Sequence, residues 1–359
     1  MNTSIPTCGK AWCSYMRYII DIPKWLDIKI KKILADETKE YSSIEEFILV
    51  ACENQVKLEN IEEEKMESFE EKSSEIKKSD ELKSISRISN LLLEANINTI
   101  PTVELPKTGK VETELLWGQI NRIFPIKIGV RVLANMIKES NNTYIELEPF
   151  REVAADIARK FGLRLKEIDE KYNRRVGKRF STGLPIGRNA ELSKNRYKAH
   201  YLAYQTGKGT LVGALADLRF VDIEGDKIGI TEKGLEFARI NNPLLDIFGP
   251  ESNEILSEKE IKFYLSLIKE FLPKEDEFMK AVLSMIEEGE PPREEFNAKV
   301  KAFIEEIWDE TVTPAVANTM RSGVLSRMWE LGFVNNKKVG KKIVYSITEK
   351  GRRFLHGGN

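Results

Sequence analysis

Two segments of this 359-residue chain carry the same five residues, Ile-Thr-Glu-Lys-Gly, at positions 230–234 and 347–351. Each copy comes after a Phe-Val pair, at positions 220–221 in the first copy and 333–334 in the second. A polar turn and a second apolar run separate each pair from its Thr-Glu-Lys-Gly. Since threonine is a favoured helix N-cap, both copies predict a helix, a two-stranded hairpin and a new helix, in that order.

This order of elements resembles the closing half of a winged-helix unit, in which a helix precedes a hairpin called the wing. The resemblance implies two such units, at residues 113–245 and 246–359, and an archaeal-type protein that binds duplex DNA. In this family the helix before the wing enters the major groove, and the wing contacts phosphate. The expected fold class is mainly α with short β-hairpins, an α+β class with tandem winged-helix units.

The N-terminal segment carries a second resemblance. Apolar residues alternate over residues 17–22, Pro23 ends the strand pattern, and two helical patterns follow, the second opened by a capping box of Ser43 and Glu46. This strand–helix–helix order resembles the ribbon-helix-helix family. It implies a dimerisation head at residues 1–59, with a homodimer formed through residues 17–59. Ile19 and Asp21 would face the DNA and are poor base readers, so dimerisation is the safer implication.

The composition of residues 60–112 predicts a charged linker between the head and the first winged-helix unit. The first part is rich in Glu, Lys and Ser, and the last part contains Pro101 and Pro106 without a clear period. Such composition is typical of a flexible tether. A tether of this kind would let two DNA half-sites vary in their spacing.

Helix signals continue through the rest of the chain. We expect helices at 124–137, 148–161 with a break at Gly162, 195–205, 210–218, 279–286, 296–307 and 314–331. A further helix should start at Ser257, which forms a capping box with Glu260. Residues 335–342 are expected to form the turn of the second wing, and residues 171–188, which hold three glycines and a proline, are expected to form a loop.

Basic residues concentrate in two places that could contact phosphate. Residues 171–198 hold nine Lys or Arg and one acid, interleaved with aromatic residues, and the second wing tip carries four lysines, whereas the first wing tip is acidic. The helix before the second wing is expected to expose polar side chains as well. The predicted DNA-binding residues are therefore Arg174, Arg175, Lys178, Arg179, Arg188, Lys194, Arg196, Lys198, Asn318, Thr319, Arg321, Ser322, Arg327, Lys337, Lys338, Lys341 and Lys342.

Two alternatives to DNA binding stay open. The formal net charge of −1 and the acidic first wing favour a protein-interaction adaptor, which would use the winged units as packing blocks inside a larger complex. The basic loop with interleaved aromatic residues is also compatible with RNA or ribosome binding. For DNA binding, the sequence leaves a transcriptional regulator and a replicon or architectural factor equally possible.

Signals for catalysis, metals and cofactors are weak. Only two histidines occur, and His200 lies in a basic, aromatic helix pattern rather than beside a nucleophile. The run Gly-Lys-Gly-Thr at 207–210 lacks the spacing of a phosphate-binding loop. Cys8 and Cys13 have no second pair that would complete a zinc site. We therefore expect no enzyme, no catalytic residue, no metal site and no cofactor.

The sequence also bears on location. No run of about 18 apolar residues occurs, so no membrane span is expected. The N-terminus lacks the apolar core of a signal peptide, and three cysteines are a small, odd number that suits a reducing compartment. A cytoplasmic location is the expectation.

Overall fold

The computed structural model describes residues 92–95, 97, 100–104, 113–207, 209–289, 291–339 and 342–357. The chain divides into two compact units, residues 1–82 and 83–359, and every described residue belongs to the second. The predicted dimerisation head therefore lies outside the described residues, as do most of the predicted tether and Lys341.

The described part is mainly helical with small antiparallel sheets, which confirms the predicted α+β class. Its first half, residues 113–245, contains five helices and five strands among the described residues. In chain order they are α1 (Phe124–Ser140), β1 (Tyr144–Glu146), α2 (Leu147–Lys171), α3 (Ala190–His200), β2 (Tyr204–Gln205), β3 (Leu211–Val212), α4 (Ala214–Asp217), β4 (Val221–Glu224), β5 (Lys227–Ile230) and α5 (Glu232–Arg239).

A one-turn π-helix, Pro243–Ile247, and a short 3₁₀ helix, Gly249–Glu251, connect the first half to the helices of the second. The elements of the second half are α6 (Glu258–Phe271), α7 (Pro273–Glu287), α8 (Arg293–Trp308), α9 (Pro314–Glu330), β6 (Val334–Val339), β7 (Lys342–Ile347) and α10 (Glu349–His356). The predicted capping box is confirmed, because the Ser257 side chain accepts from the Glu260 amide while the Glu260 carboxylate accepts from Ser257. Pro314 begins α9 as predicted, since proline needs no hydrogen-bond acceptor in the first turn.

Three small antiparallel sheets accompany the helices in the described part of the chain. The first has the strand order β1–β5–β4, with Tyr144 opposite Gly229 and Val221 opposite Ile230. The other two are the hairpins β2–β3 and β6–β7. A hairpin followed by a capped helix therefore closes each half of the described unit.

The repeated Ile-Thr-Glu-Lys-Gly has the same structural role in both halves. The threonine amide donates to the carbonyl of the preceding Phe, Thr231 to Phe220 at 3.0 Å and Thr348 to Phe333 at 2.9 Å. Each threonine hydroxyl caps the new helix by accepting from the glycine amide three residues later. A Cβ on either glycine would lie 2.2 Å from that same Phe carbonyl, so no larger residue fits.

Three sequence predictions about local structure are wrong. Helix α2 continues through Gly162, because the missing side chain makes room for Leu184 and Ile186 rather than ending the helix. Residues 204–212 form the hairpin β2–β3 in place of helix. The helix predicted at 195–205 therefore ends earlier, at His200 of α3, and the helix predicted at 210–218 is only the four-residue α4. The predicted turn 335–342 is mostly strand, since β6 and β7 pair with each other as far as Val339 and Lys342.

Buried polar contacts join the two halves. Lys127 on α1 and Glu260 on α6 form an ion pair of 3.1 Å with both side chains fully buried. Glu330 at the end of α9 accepts hydrogen bonds from the amides of Ile123 and Phe124, which are among the unpaired donors at the start of α1. The halves therefore share one interior, which also includes a continuous apolar core.

No helix in the part of the chain that the structure describes is long and apolar enough to cross a membrane.

Candidate nucleic-acid interface

The loop that follows α2 is organised by one buried carboxylate. Asp169, fully buried on α2, accepts hydrogen bonds from the amides of Phe180 and Ser181 at 3.0 Å each and from the Ser181 hydroxyl at 2.7 Å. Arg174 forms an ion pair with the same carboxylate, and its guanidinium lies 3.8 Å from the centre of the Phe180 ring. The predicted loop thus has a defined shape, and Arg174 serves to hold it.

Arg175 joins this loop to the hairpin β6–β7. Its Nη2 donates to the backbone carbonyl of Asn336 and, at 2.8 Å, to the Asn336 side-chain oxygen. Buried Arg122 also stabilises the junction, because its guanidinium donates to the carbonyls of Gly177 in the loop and Ser326 in α9. Two basic segments whose contacting residues are 161 positions apart in sequence therefore meet in space. We call residues 172–180 together with residues 334–347 the loop–hairpin face.

The hairpin projects an exposed end beyond this junction. Val334 and Asn336 of β6 are buried, whereas Lys337, Lys338 and Val339 are exposed. Three apolar side chains at the same end are also open to solvent, with exposed fractions of 56% for Val339, 49% for Ile343 and 41% for Val344. The exposed end of the hairpin thus combines lysines with β-branched apolar residues.

Besides Arg175, which is bonded to Asn336, four cations of the loop–hairpin face make no ion pair with any described residue: Lys178, Arg179, Lys337 and Lys338. Their charge is therefore not cancelled by a neighbouring carboxylate within the described residues. Lys171, next to the loop, differs because its hydrogen bond to Glu251 raises its pKa and holds the ammonium in an ion pair of 3.0 Å. Lys342 begins β7, and its side chain is outside the described part of the chain.

The remaining predicted basic residues lie elsewhere. Lys194 and Lys198 on α3 pair with Asp156 and Glu152 near the start of α2, and Lys198 is only 8% exposed, so it is not the free surface cation expected from the sequence. At 1.5 Å per residue, Glu152 is roughly 28 Å along α2 from Lys171 and the loop. Arg188 and Arg196 are exposed, and Arg188 follows Gly187, whose carbonyl accepts a hydrogen bond from Arg159 in the middle of α2. The cations of residues 171–198 are therefore spread along α2 and do not form one surface.

Helix α9 does not expose the arginine side chains that were predicted to face solvent. Arg327 is fully buried, where it pairs with Glu275 at 2.7 Å and donates to the Ile120 carbonyl. Arg321 is 9% exposed and packs over the ring of Phe296. The prediction is wrong for both arginines, because α9 packs against α8 on one side and against the segment before α1 on another.

The crossing of that segment over α9 is very close. A Cβ on Gly323 would lie 2.3 Å from the carbonyl oxygen of Gly118, so the two backbones touch where neither residue has a side chain. Among the polar residues predicted on this helix, Ser322 is exposed, while Asn318 and Thr319 are half-buried. Asn318 accepts from Arg293 at 3.0 Å, and Thr319 donates to the Ala315 carbonyl. Helix α9 is thus a central packing element.

Asn336, Arg122 and the exposed apolar end of the hairpin were not predicted from the sequence. Val339, Ile343 and Val344 are β-branched and favour strand, which was the signal in the sequence for a longer hairpin. Nothing local in the sequence indicates that Arg122 supports the loop, since its partners lie 55 and 204 residues away.

The first hairpin, β4–β5, offers no comparable surface among its described residues. Its tip carries Glu224 and Asp226, which would repel phosphate, as the sequence predicts. Tyr144 on β1 donates to Asp222 on β4 at 3.1 Å, and burial together with that carboxylate raises the Tyr144 pKa to about 12. This hydrogen bond crosses the central strand β5 and links the two outer strands of the sheet through a neutral phenol.

Within the described residues, no group of three His, Cys, Asp or Glu side chains could hold a metal ion. The ring of His200 is half-buried, and burial together with Arg196 lowers its pKa, so the imidazole is neutral near pH 7. No serine or cysteine lies with His200 among the described residues that line the cavity beside it.

Comparison with known protein families, with curated proteins and with solved structures found no match for this chain.

Proposed function

We propose that this protein binds duplex DNA through the loop–hairpin face. The observation that carries the proposal is the contact of Arg175 with Asn336, which brings two basic segments from distant parts of the sequence onto one surface. Lys178, Arg179, Lys337 and Lys338 supply its charge without cancellation by described acids. A hairpin that extends lysines beyond the protein body suits contact with the phosphates of a duplex.

We further propose that the two halves are tandem winged-helix units. The strand order β1–β5–β4 in the first half and the hairpin β6–β7 in the second support this, as does the repeated Thr-to-Phe bonding. The burial of Arg321 and Arg327 changes the proposed mode of recognition, because neither arginine side chain is free to reach a base. We therefore assign affinity to phosphate contacts by the hairpin and loop, with little direct reading of bases.

The biological setting is part of the proposal. Dimerisation through residues 17–59 would present two loop–hairpin faces, joined by the charged segment 60–112, to one duplex. Such a dimer suits a replicon or architectural factor, and it suits a transcriptional regulator if the head adds sequence preference. A cytoplasmic location accompanies this role.

The test is the salt dependence of binding to a random-sequence duplex, measured by fluorescence anisotropy with full-length protein. Each phosphate contact contributes a slope of about −0.9 to log K against log salt concentration, so four contacts give a slope of about −3.6. The double variant Lys337→Ala/Lys338→Ala should reduce the magnitude of that slope by about 1.8. Unlabelled RNA as competitor distinguishes an RNA-binding protein from one that prefers duplex DNA.

The matched control is Arg188→Ala/Arg196→Ala, which removes the same charge from exposed residues of the predicted basic stretch that lie outside the loop–hairpin face. We expect the control to keep the slope of the unaltered protein. An equal reduction of the salt slope in both variants would indicate a general effect of net charge and would reject the loop–hairpin face as the binding site. Absence of binding at about 50 mM salt would reject DNA binding altogether.

A second candidate is a protein-interaction adaptor, favoured by the exposed Val339, Ile343 and Val344 at the hairpin end. This candidate predicts that Ile343→Ser/Val344→Ser abolishes capture of a protein partner. It also predicts that the lysine double variant leaves that capture intact.

A further inference from the structure

A cavity of about 600 Å³ opens between the two halves, away from the loop–hairpin face. Five parts of the fold contribute to its wall: the segment before α1, the end of α3, the hairpin β2–β3, the short helix α4 and the end of α8. A volume of this size is typical of a pocket for a small organic molecule.

Aromatic rings form much of the cavity wall. Trp117 from the segment before α1 and Trp308 from the end of α8 are stacked, with ring centres 6.2 Å apart and an interplanar angle of 26°. Tyr204 of β2 and His200 of α3 also line the space. All four rings are partly exposed. Arg151 already lies over the Tyr204 ring, 5.8 Å from its centre, so the two tryptophans are the aromatic surfaces that a ligand would use.

The charged residues that line the cavity are acids. Asp217 of α4 and Glu114 are its carboxylates, and no Lys or Arg is among the described residues that line it. Behind the lining, Arg219 acts on Asp217 and Lys274 acts on Glu114. Asp217 is 5% exposed, and burial raises its pKa, so the site holds a carboxyl group that lacks solvation. His200, whose pKa is lowered by burial, is neutral near pH 7 and does not compensate these acids.

We propose that this cavity binds a small organic cation, an amine or quaternary ammonium with an apolar body, between the aromatic rings and the Asp217 carboxylate. Tryptophan faces attract cations through the ring quadrupole, most strongly where water is excluded. A carboxylate that is poorly solvated gains more from an arriving cation than one in open water. Two acids and no Lys or Arg are among the described residues that line the cavity, so the lining disfavours phosphates and carboxylates.

Because Trp117 precedes α1 and Trp308 lies in the second half, a bound cation would contact both halves at once. The proposal concerns a ligand other than nucleic acid and does not depend on the proposed DNA binding. It can therefore be tested on the free protein.

The experiment is isothermal titration calorimetry of full-length protein with benzyltrimethylammonium, benzyl alcohol and benzenesulfonate, at constant ionic strength. The three probes share a ring and differ in charge. We expect saturable binding of the cation alone. Equal binding of benzyl alcohol or benzenesulfonate would overturn the proposal, as would the absence of saturable binding by the cation.

Variants locate the binding site. Asp217→Asn and Trp117→Leu should each weaken cation binding by at least about tenfold, because each removes one of the two attractive groups. Trp329→Phe is the matched control: Trp329 is a half-buried tryptophan outside the cavity, and it packs under Arg122. Cation binding unaffected by the first two variants, or reduced equally by the control, would place the ligand elsewhere and overturn the proposal. Circular dichroism of each variant checks that the fold is retained.

Discussion

Thr231 and Gly234, with their counterparts Thr348 and Gly351, explain why five residues recur in this chain. The threonine ties the incoming strand to the preceding Phe carbonyl and caps the next helix, and the glycine lets that helix start against the same carbonyl. Each residue type therefore satisfies a steric or hydrogen-bonding requirement that few other side chains meet. The repeat is a structural signature, and it supplies no cation to the loop–hairpin face.

Gly351→Ala should destabilise the protein by about 1–3 kcal/mol, because the new Cβ would lie 2.2 Å from the Phe333 carbonyl and force a backbone shift. Urea unfolding followed by circular dichroism measures the change. The control is Gly207→Ala, where no atom lies within 4 Å of the position that the new methyl group would occupy. A similar loss of unfolding free energy in both variants would contradict the explanation by close contact with the Phe333 carbonyl.

Asp217 should make stability depend on pH. Burial raises its pKa to about 7 from an ordinary 3.8, although Arg219 partly opposes the shift. Between these values the native state binds more protons than the unfolded state, so the stability contribution of Asp217 falls as pH rises from about 4 to 7.

Asp217→Asn removes this titration and should be more stable than the unaltered protein at pH 8, by up to about 4 kcal/mol. The gain should shrink as the pH falls toward about 4, where the aspartate is neutral in both states. Buried Glu330 also has a pKa raised to about 7, but both proteins contain it, so the difference between them isolates Asp217. A stability difference that stays constant from about pH 5 to 8 would contradict the assignment.

Helix α9 shows how a whole element can be identified correctly and its role predicted wrongly. Its start at Pro314 and its end near Leu331 follow from local signals, but its arginines do not lie on an exposed face. Arg321 and Arg327 point into contacts with α7, α8 and the segment before α1. For the hairpin β6–β7, exposure was predicted correctly and the bounds were not: its described lysines are exposed, and its strands are longer than expected.

Arg327→Met should destabilise the protein by about 3–5 kcal/mol, because it leaves the Glu275 carboxylate buried without its counter-ion. Folded Arg327→Met protein should bind DNA with the same salt slope as the unaltered protein. The double variant Arg327→Met/Glu275→Gln should recover part of the stability, which urea unfolding would show. A loss of DNA affinity without a loss of stability would restore α9 as a recognition helix.

Three sets of buried polar contacts hold the described unit together across the predicted boundary near residue 245. Lys127 pairs with Glu260, Glu330 bonds to the start of α1, and Arg327 pairs with Glu275 while bonding to Ile120. Burial lowers the Lys127 pKa to about 8, and the neighbouring Glu260 carboxylate opposes that shift. Separating the halves would leave charged groups without partners on newly exposed apolar surfaces.

Fragments 113–245 and 246–359 should therefore fail to fold separately, although each contains the elements of one proposed winged-helix unit. Circular dichroism and amide hydrogen exchange of each fragment, alone and mixed, test this. We expect little protection in either fragment alone and recovery on mixing. Full protection in the separate fragments would show that the interface between the halves is dispensable.

The sequence alone was sufficient for features with local causes. Proline and capping signals located the starts of α1, α6 and α9, and the repeat revealed two hairpins followed by capped helices. The acidic tip of the first hairpin and the lysines of the second were also readable, because exposed charges at a turn depend on few distant contacts.

Long-range packing could not be read from the same patterns. Arg327 and Ser322 are both polar in sequence, yet one is buried beside Glu275, 52 residues away, and the other is exposed. Likewise, Lys194 and Lys198 pair with residues near the start of α2 while Lys171 lies at its end, and Arg175 meets Asn336 only through the fold. Hydrophobic period and capping specify each helix, whereas the partner of a buried charge depends on how the helices pack against one another.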